Sequence, residues 1–259
     1  MQTFKGFAAI VTGAANGIGR GLALKAAKEG MDVAICDIAA GPLAETDAML
    51  KKAGAKTVSS TLDVTDPAAV EAFAKTVSAQ LAPPALVFAN AGILAQGKVL
   101  SHSPSEWRRL FDVNVMGIVN TLRAFMPALK AQKTQSHIVI TGSQASFWVY
   151  ESLGAYSTTK HALWALADGL RLDLETEKAP IAVSVLAPGM IDTAIYAATE
   201  QPAGVTRVAG MSPAELADIT FAGIRNNDRI ISSHATLIDA AGGRLDAAMA
   251  EIKKGPRPH

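Results

Sequence analysis

Short runs of β-branched and other apolar residues alternate with longer alanine-rich runs along most of this chain. The candidate strands cover residues 8–11, 32–36, 57–61, 85–89, 137–141, 182–186 and 229–232. Most of them are apolar on both faces, as parallel strands covered by helices on both sides must be. Helical patterns lie between them, at 17–29, 42–53 and 67–80 among others. The alternation therefore predicts an α/β fold, a doubly wound parallel sheet of about seven strands with helices on both faces.

Composition narrows the classes of function. Apolar residues make up 49% of the 259 residues, enough for a large core, and 24 basic residues balance 23 acidic ones. A formal charge of +1 argues against a protein built to coat nucleic acid or an anionic membrane. The one cysteine, Cys36, excludes an intrachain disulfide, and no histidines show the spacing of a metal site. We expect one cytoplasmic domain over residues 1–259, with neither a signal peptide nor a membrane span.

One segment breaks the strand–helix rhythm. Between Thr193 and Ser212 the residues are small and polar, and no strand is evident. Long irregular segments in compact domains often serve as binding loops. We therefore expect a substrate lid at about residues 190–212, followed by a helix that begins with the capping box Ser212 and Glu215.

A glycine-rich turn joins the first strand to the first helix. Its glycines follow the spacing G-x-x-x-G-x-G rather than the usual G-x-G-x-x-G. Backbone without Cβ atoms can approach a pyrophosphate closely at the positive end of a helix. The turn therefore indicates a Rossmann-type dinucleotide site, and an ordinary strand-to-helix turn is the alternative. The candidate cofactor contacts in the turn are Gly13, Asn16, Gly17, Ile18 and Gly19.

Asp37 ends the second strand, 24 residues after Gly13. A carboxylate at this position can accept hydrogen bonds from the hydroxyls of an adenine ribose. It would repel a 2′-phosphate by about 4 kcal/mol per charge pair at roughly 4 Å and an effective dielectric constant of ~20. No arginine occurs in residues 38–40 to offset that repulsion. We predict NAD rather than NADP as the cofactor; the alternative is an aspartate that caps a turn.

Tyr156 and Lys160 are four residues apart in a helical run, so both side chains lie on one helix face. A nearby ammonium favours the phenolate form of a tyrosine, whose pKa is otherwise near 10. The phenol could then exchange a proton with a substrate hydroxyl near neutral pH. Ser143 follows the fifth strand, at the edge of the sheet where ligands bind in open α/β folds. A solvent-exposed helix with no catalytic role is the alternative interpretation.

Seven elements, in this order and spacing, resemble the short-chain dehydrogenase/reductase family in its single-domain form. They are Thr12 to Gly19, Asn90-Ala91-Gly92, Asn114, Ser143, Tyr156, Lys160 and Pro188-Gly189. The resemblance covers about residues 5–235. The chain departs from the family at Ala89, where relatives often carry a first asparagine, and it matches only loosely after Thr193.

The resemblance implies a role for each matching residue. Tyr156 would be the general acid/base, and Lys160 would lower its pKa and bind the nicotinamide ribose. Ser143 would hydrogen-bond the substrate oxygen, and Asn114 would hold a water in a proton relay. Helices at about 104–130 and 156–177 would form the subunit contacts of a homodimer or homotetramer.

The resemblance also implies further contacts to bound NAD. Asp63 and the backbone at Val64 would meet the adenine. The segment after the fourth strand would line the cofactor, and a loop after the sixth strand would cover the nicotinamide. The residues concerned are Asn90, Ala91, Gly92, Pro188, Gly189, Ile191 and Thr193.

Aromatic residues between Ser143 and Tyr156 suggest an apolar or aromatic substrate. The alternatives are loop packing and a subunit contact. The candidate substrate residues are Gln144, Phe147, Trp148, Tyr150, Met190 and Tyr196.

Together these features predict an NAD-dependent oxidoreductase that transfers a hydride between a secondary alcohol or ketone and nicotinamide, with Tyr156 as general acid/base. Its partners would be a small-molecule substrate and copies of itself. Two alternatives are open at this point. One is a non-catalytic NAD(H) sensor on the same scaffold, and the other is a sugar-nucleotide-modifying relative, such as an epimerase or dehydratase.

Overall fold

A computed structural model describes residues 3–193 and 210–234 of the chain, and beyond these residues 242, 243, 246, 249 and 250. Its strands form one parallel sheet in the order β3-β2-β1-β4-β5-β6-β7. The seven predicted strands are confirmed, and no strand end differs from its predicted position by more than one residue. The strands are β1 (Ala8–Thr12), β2 (Asp32–Asp37), β3 (Thr57–Thr61), β4 (Pro84–Ala89), β5 (Ser136–Thr141), β6 (Ile181–Ala187) and β7 (Ile230–Ser232).

Helices connect the strands and cover both faces of the sheet. They are α1 (Gly17–Lys28), α2 (Ala40–Lys52), α3 (Pro67–Gln80), α4 (Pro104–Phe111), α5 (Gly117–Ala131), α6 (Gly154–Thr176) and α7 (Pro213–Asn226). The capping box of Ser212 and Glu215 is present at the start of α7, as the sequence predicts. The predicted doubly wound α/β fold is thus confirmed.

The core consists of two apolar layers, one on each face of the sheet. Alternate residues of a strand point to opposite faces, so Ile10 and Val11 of β1 belong to different layers. The layer around Ile10 packs against α3, α5 and α6, and the layer around Val11 packs against α1, α2 and α7. Both neighbours in β1 are completely buried. This explains why the strands read as continuous apolar runs.

Helix α2 begins at Ala40, two residues before the predicted start at Pro42. The first four N–H groups of a helix have no partner within the helix, so a proline in the first turn costs no hydrogen bond. The backbone N–H of Leu43 donates to the carbonyl of Ala39 at 3.0 Å and closes that turn. Pro42 therefore lies inside the helix rather than at its first position.

A single π-helical turn, Asp112–Met116, joins α4 to α5. Asn114 lies in this turn and is completely buried. Its side chain donates to the carbonyl of Ile93 and accepts from the Ile93 N–H, at 2.9 and 2.7 Å. The turn is thereby bound to the loop that follows β4.

The strand order reverses between β1 and β4, since β2 lies on one side of β1 and β4 on the other. In open α/β sheets, a crevice forms at this position beyond the carboxyl ends of the strands. No helix in the described part of the chain is long and apolar enough to cross a membrane. Among the described residues, no cluster of three histidine, cysteine or carboxylate side chains could hold a metal ion.

Candidate active site

A cavity of about 310 Å³ lies in this crevice. Residues from the glycine-rich turn line one end, and residues that follow β4, β5 and β6 line the other end together with α6. Ser143, Tyr156 and Lys160 therefore share one cavity with the glycine turn. Sequence elements more than 140 residues apart meet here because parallel strands end at the same edge of the sheet.

The glycines of the turn are required by close contacts. A Cβ on Gly19 would lie 2.1 Å from the carbonyl oxygen of Gly13. A Cβ on Gly13, whose φ is +68°, would lie 2.8 Å from the Cα of Ala91. At Gly17, with φ of +53°, it would meet the methyl of Thr193 at 2.8 Å. These contacts leave the turn without side chains that would block the approach of a phosphate group.

Thr12 and Asn90 hold the strand ends around the turn together. The Thr12 hydroxyl accepts from the backbone N–H groups of Asn90 and Ala91, at 3.0 and 3.1 Å. The Asn90 amide donates to the carbonyls of Thr12 and Gly13, and its oxygen accepts from Thr141 at 3.1 Å. Asn90 thus links the carboxyl ends of β1, β4 and β5 at the cavity.

Asp37 lies at the end of the cavity formed by the glycine turn. Its two carboxylate oxygens accept from the backbone N–H groups of Ala15 and Ala39, each at 3.0 Å. The carboxylate is therefore held at the cavity wall and cannot turn away without losing both bonds. An anionic group fixed here fits the hydroxyls of a ribose better than a phosphate.

Thr193 also lines the cavity, and its side chain lies next to Gly17 of the glycine turn. Its hydroxyl is buried, and no hydrogen-bond partner for it occurs among the described residues. A buried hydroxyl without a partner costs about 1–3 kcal/mol, which a polar ligand group could recover. Together with the open glycine turn and Asp37, this unsatisfied hydroxyl makes the cavity suitable for a dinucleotide.

Tyr156 and Lys160 lie on one face of α6 and are both buried. The Lys160 ammonium lies 5.6 Å from the centre of the Tyr156 ring and donates to the carbonyl of Thr141 at 2.9 Å. Burial lowers the pKa of Lys160 to about 8. The ammonium form still predominates at pH 7, so a positive charge lies beside the phenol ring.

Ser143 and Asn114 flank this pair. The Ser143 hydroxyl accepts from the N–H of Ala145 at 3.1 Å and caps a short 3₁₀ turn. Asn114 donates its second amide proton to Thr159 at 3.0 Å. A Cβ on Gly92 would lie 3.2 Å from the Asn114 oxygen and 3.5 Å from the Lys160 nitrogen. Asn114 and Lys160 therefore approach the cavity wall at the same point.

Most of the predicted cofactor contacts and three of the four predicted catalytic residues line the cavity. They are Gly13, Asn16, Gly17, Ile18, Gly19, Asp37, Asn90, Ala91, Gly92, Ser143, Tyr156, Lys160, Pro188, Gly189, Ile191 and Thr193. The structure does not place Asp63, Val64 or Asn114 in this lining. Asp63 is exposed, and its carboxylate accepts from the N–H of Thr65.

None of the predicted substrate residues that the structure describes belongs to the cavity lining. Phe147 is buried against Trp164, with ring centres 4.5 Å apart. The Tyr150 hydroxyl donates to the Gln144 oxygen at 2.9 Å. Trp148 and Met190 are partly exposed, whereas Tyr196 and most of the predicted lid lie outside the described residues.

The ends of the predicted lid are joined to each other. The N–H of Asp192 donates to the carbonyl of Met211, and the N–H of Met211 donates to the carbonyl of Met190, at 3.0 and 3.1 Å. The Asp192 carboxylate also accepts from the N–H of Gly210 at 3.0 Å. Residues 190–192 and 210–211 therefore form a closed base beside the cavity.

Four lining residues were not identified from the sequence. They are Ala15, Ala39, Thr141 and Gly142. Ala15 lies within the predicted turn, and the other three lie within two residues of Asp37 or Ser143, so only their position in the sequence could have indicated them. Small residues such as alanine carry no chemical signature of a site.

Comparisons with known proteins agree with this geometry. A family profile described as short chain dehydrogenase matches residues 8–203. The probable oxidoreductase EphD of Mycobacterium tuberculosis is 40% identical over 189 residues, 73% of this chain and 32% of that protein. The chain thus spans about a third of the length of the first curated relatives that it matches.

Two further comparisons cover most of both chains. The 1-deoxy-11-beta-hydroxypentalenate dehydrogenase of Streptomyces avermitilis is 38% identical over 215 residues, 82% of this chain and 79% of that protein. A short chain dehydrogenase/reductase from Burkholderia phymatum, solved in complex with NAD, superposes with a TM-score of 0.88 at 29% identity. That superposition covers 100% of this chain and 99% of the other.

Proposed function

The chain belongs to the short-chain dehydrogenase/reductase family, and on that premise we propose that it is an NAD-dependent oxidoreductase that interconverts a secondary alcohol and a ketone. The main support for this proposal is that Ser143, Tyr156 and Lys160 line the same cavity as the glycine turn and Asp37. Family membership supports an NAD(P)-dependent dehydrogenase. The choice of NAD, the roles of the residues and the class of substrate are proposals.

The proposed chemistry divides between cofactor and protein. NAD, when bound, would accept the hydride from the alcohol carbon or return it to the ketone. Tyr156 would take the hydroxyl proton of the alcohol, helped by the positive charge of Lys160 beside its ring. Ser143 would donate a hydrogen bond to the substrate oxygen, and Asn114 would contribute to a proton path from Lys160. Burial of all four side chains excludes bulk water from these steps.

Replacing Tyr156 by phenylalanine tests this assignment. Tyr156→Phe should lower kcat by roughly 10²-fold or more, the usual scale for a lost general acid/base. NADH fluorescence titration should show binding within a few-fold of wild type, because the phenol ring is retained. Wild-type turnover would be found by screening secondary alcohols and ketones through NADH absorbance. Tight NADH binding without turnover on any of them would indicate a sensor instead, and near-normal turnover of the variant would remove Tyr156 from its role.

The preference for NAD rests on Asp37. Its carboxylate is held at the cavity wall by two N–H donors, so a 2′-phosphate could displace it only by breaking both hydrogen bonds. The NAD bound in the Burkholderia relative supports the same choice. In initial-rate measurements, kcat/KM of wild type should be at least about 10²-fold higher with NAD than with NADP. The reason is that the Asp37 carboxylate repels the 2′-phosphate of NADP by several kcal/mol. Asp37→Asn should narrow that preference by about tenfold or more; equal use of both cofactors by wild type would refute the argument.

We expect an apolar substrate because exposed large side chains follow the lining residues Ser143 and Gly189 in the chain. Trp148, Tyr150 and Met190 are 36%, 39% and 50% exposed. The Streptomyces relative is named as the dehydrogenase of a hydroxy compound. A panel that pairs each aryl or polycyclic alcohol with a polar one of similar size would test the expectation, and a preference for the polar member would contradict it.

A homodimer or homotetramer is proposed from the outer face of α5 and α6. A groove between these helices is lined mainly by apolar residues, among them Leu122, Met126, Leu166 and Leu170. Apolar grooves of this kind are commonly covered in assemblies. A single domain and a cytoplasmic location also stay predictions.

A further inference from the structure

Arg20 makes an unusually dense set of contacts just behind the glycine turn. It is the fourth residue of α1, and its side chain is 21% exposed. Its Nε donates to the carbonyl of Ala15 and to the hydroxyl of Thr46, at 3.0 and 2.9 Å. Its Nη2 donates to the carbonyls of Ala15 and Pro42, at 2.6 and 3.0 Å, and pairs with Glu45 at 3.1 Å. The guanidinium thus joins the glycine turn to the first two turns of α2.

The Ala15 residue is thereby held from both sides. Its N–H donates to the Asp37 carboxylate at 3.0 Å, and its carbonyl accepts from Arg20. The hydroxyl of Thr46, which is completely buried, also donates to this carbonyl at 3.2 Å. Ala15 itself is 2% exposed. Removal of Arg20 would take both charged N–H donors away from this carbonyl and leave it the Thr46 hydroxyl, whose single proton is shared with the Pro42 carbonyl at 3.2 Å.

The consequence reaches the cavity through the planarity of the peptide bond. The Ala15 carbonyl and the Asn16 N–H belong to one trans peptide and point in opposite directions. While Arg20 holds the carbonyl, the Asn16 N–H must point away from Arg20, and Asn16 lines the cavity. The same contacts keep Asp37 in place through the N–H of Ala15. The N–H of Ala39, just before α2, donates the second hydrogen bond to the Asp37 carboxylate.

Arg20 does not line the cavity, so it cannot act by touching the cofactor. We propose that Arg20 is a positioning residue for the adenosine half of the dinucleotide: it fixes the Ala15–Asn16 peptide and, through Ala15, the Asp37 carboxylate that selects NAD over NADP. This inference rests on the proposed function, because it requires that a dinucleotide binds at the glycine turn.

Direct binding measurements test the role without any knowledge of the substrate. NADH affinity would be measured by fluorescence and ADP-ribose affinity by calorimetry, since ADP-ribose lacks the nicotinamide. Arg20→Met retains the unbranched stem of the side chain but removes all its N–H donors. It should weaken the binding of both NADH and ADP-ribose by about tenfold or more. Arg20→Lys keeps the charge but not the planar fork, and it should recover part of that loss.

Lys25→Met is the matched control. Lys25 is an ion-paired cation on the same helix, with Glu29 and Asp218 as partners at 3.1 and 2.8 Å, and it does not belong to the cavity lining. It should bind NADH and ADP-ribose within twofold of wild type. Thr46→Val removes the hydroxyl that contacts Arg20 and Ala15 but no charge, and it should weaken ADP-ribose binding by a few-fold. It decides the question if Arg20→Met does not fold.

Kinetics on any alcohol that wild type oxidises provide the second measurement. With Arg20→Met, KM for NAD should rise by about tenfold, kcat at saturating NAD should stay within twofold, and the NAD-to-NADP preference should fall. A merely structural role would lower the fraction of folded enzyme and leave KM and the preference unchanged. Wild type that fails to bind NADH would overturn the proposed function as well; wild type that binds NADH, with Arg20→Met or Thr46→Val equally tight, would overturn this inference alone.

Discussion

His137 should make the stability of the protein fall steeply in mild acid. It is the second residue of β5 and only 1% exposed, and its Nε2 lies 2.7 Å from the hydroxyl of Ser184. Ser184 donates its own proton to the carbonyl of Asp228 at 2.5 Å. Nε2 must therefore be the donor to Ser184, and Nδ1 is left unprotonated. Among the described residues, Nδ1 has no hydrogen-bond partner.

Protonation of His137 would add a charge at this site and a proton with no acceptor. Burial, with a smaller contribution from the positive charge of Arg171, lowers the pKa of His137 to about 3. In the unfolded chain the pKa of a histidine is about 6.5. Between these two pKa values, the unfolded chain therefore binds a proton at His137 and the folded protein does not. The associated stability is complete above about pH 7 and is lost as the pH falls from 6.5 towards 3.

The size of the effect follows from the two pKa values. Each unit of difference is worth about 1.4 kcal/mol. Between pH 7 and pH 5 the folded imidazole stays neutral while the unfolded one becomes almost fully charged, so the free energy of unfolding should drop by about 2 kcal/mol from this residue alone. The loss would reach its limit, roughly 5 kcal/mol, only below pH 3.

Urea denaturation followed by circular dichroism at pH 7, 6 and 5 measures this contribution. The protein concentration must be constant, because any association would also shift the midpoint. His137→Gln keeps an amide donor for Ser184 but cannot titrate. The difference in unfolding free energy between wild type and His137→Gln should change by about 2 kcal/mol over this range in favour of the variant.

Ser184→Ala separates burial from hydrogen bonding as the cause. It should lower stability at every pH while retaining the wild-type dependence on pH, since the imidazole is still buried. Parallel curves for wild type and His137→Gln would refute the reasoning, because they would mean that the imidazole takes up its proton equally well in both states.

Three further predictions concern the cavity and the outer helices. Gly19→Ala should weaken NADH binding by more than tenfold, because the new Cβ would overlap the Gly13 carbonyl oxygen at 2.1 Å. Gly41→Ala is the control: no atom lies within 4 Å of the added Cβ, so NADH binding should be unchanged. Leu170→Glu, in the groove of α5 and α6, should shift sedimentation towards monomers, and Leu172→Glu, 64% exposed and outside the groove, should not. Lys160→Met should abolish turnover. Folding lowers the pKa of this lysine from 10.5 to about 8, so the difference in unfolding free energy between Lys160→Met and wild type should shift by about 3 kcal/mol in favour of the variant between pH 10.5 and pH 7. Tight NADH binding by Gly19→Ala, an unaltered assembly, or a stability difference between Lys160→Met and wild type that does not change with pH would contradict the respective argument.

The strands and the cavity could be predicted because their signals are local. Buried parallel strands are continuous apolar runs, and the glycine turn, Ser143, Tyr156 and Lys160 occupy fixed places at strand ends or on one helix face. The sheet then brings them together without any further information. Residues as far apart as Gly13 and Lys160 could be assigned to one site from these places in the sequence together with the family resemblance.

The features that were not predicted depend on contacts between distant residues. The π-helical turn at Asp112–Met116 is held by Asn114 through the backbone of Ile93, 21 residues away, and has no periodicity of its own. The bonds of Arg20 to Thr46 span 26 residues, and those of His137 to Ser184 span 47. Side-chain hydrogen bonds of this kind leave no pattern in one sequence.

The closed base formed by residues 190–192 and 210–211 has an evolutionary consequence. Since the chain returns to its starting point there, insertions or deletions between these residues need not displace β6 or α7. Each doubling of the length of such a loop costs only about 0.6 kcal/mol in closure entropy. Relatives could therefore differ in this stretch while the residues that line the cavity stay in place.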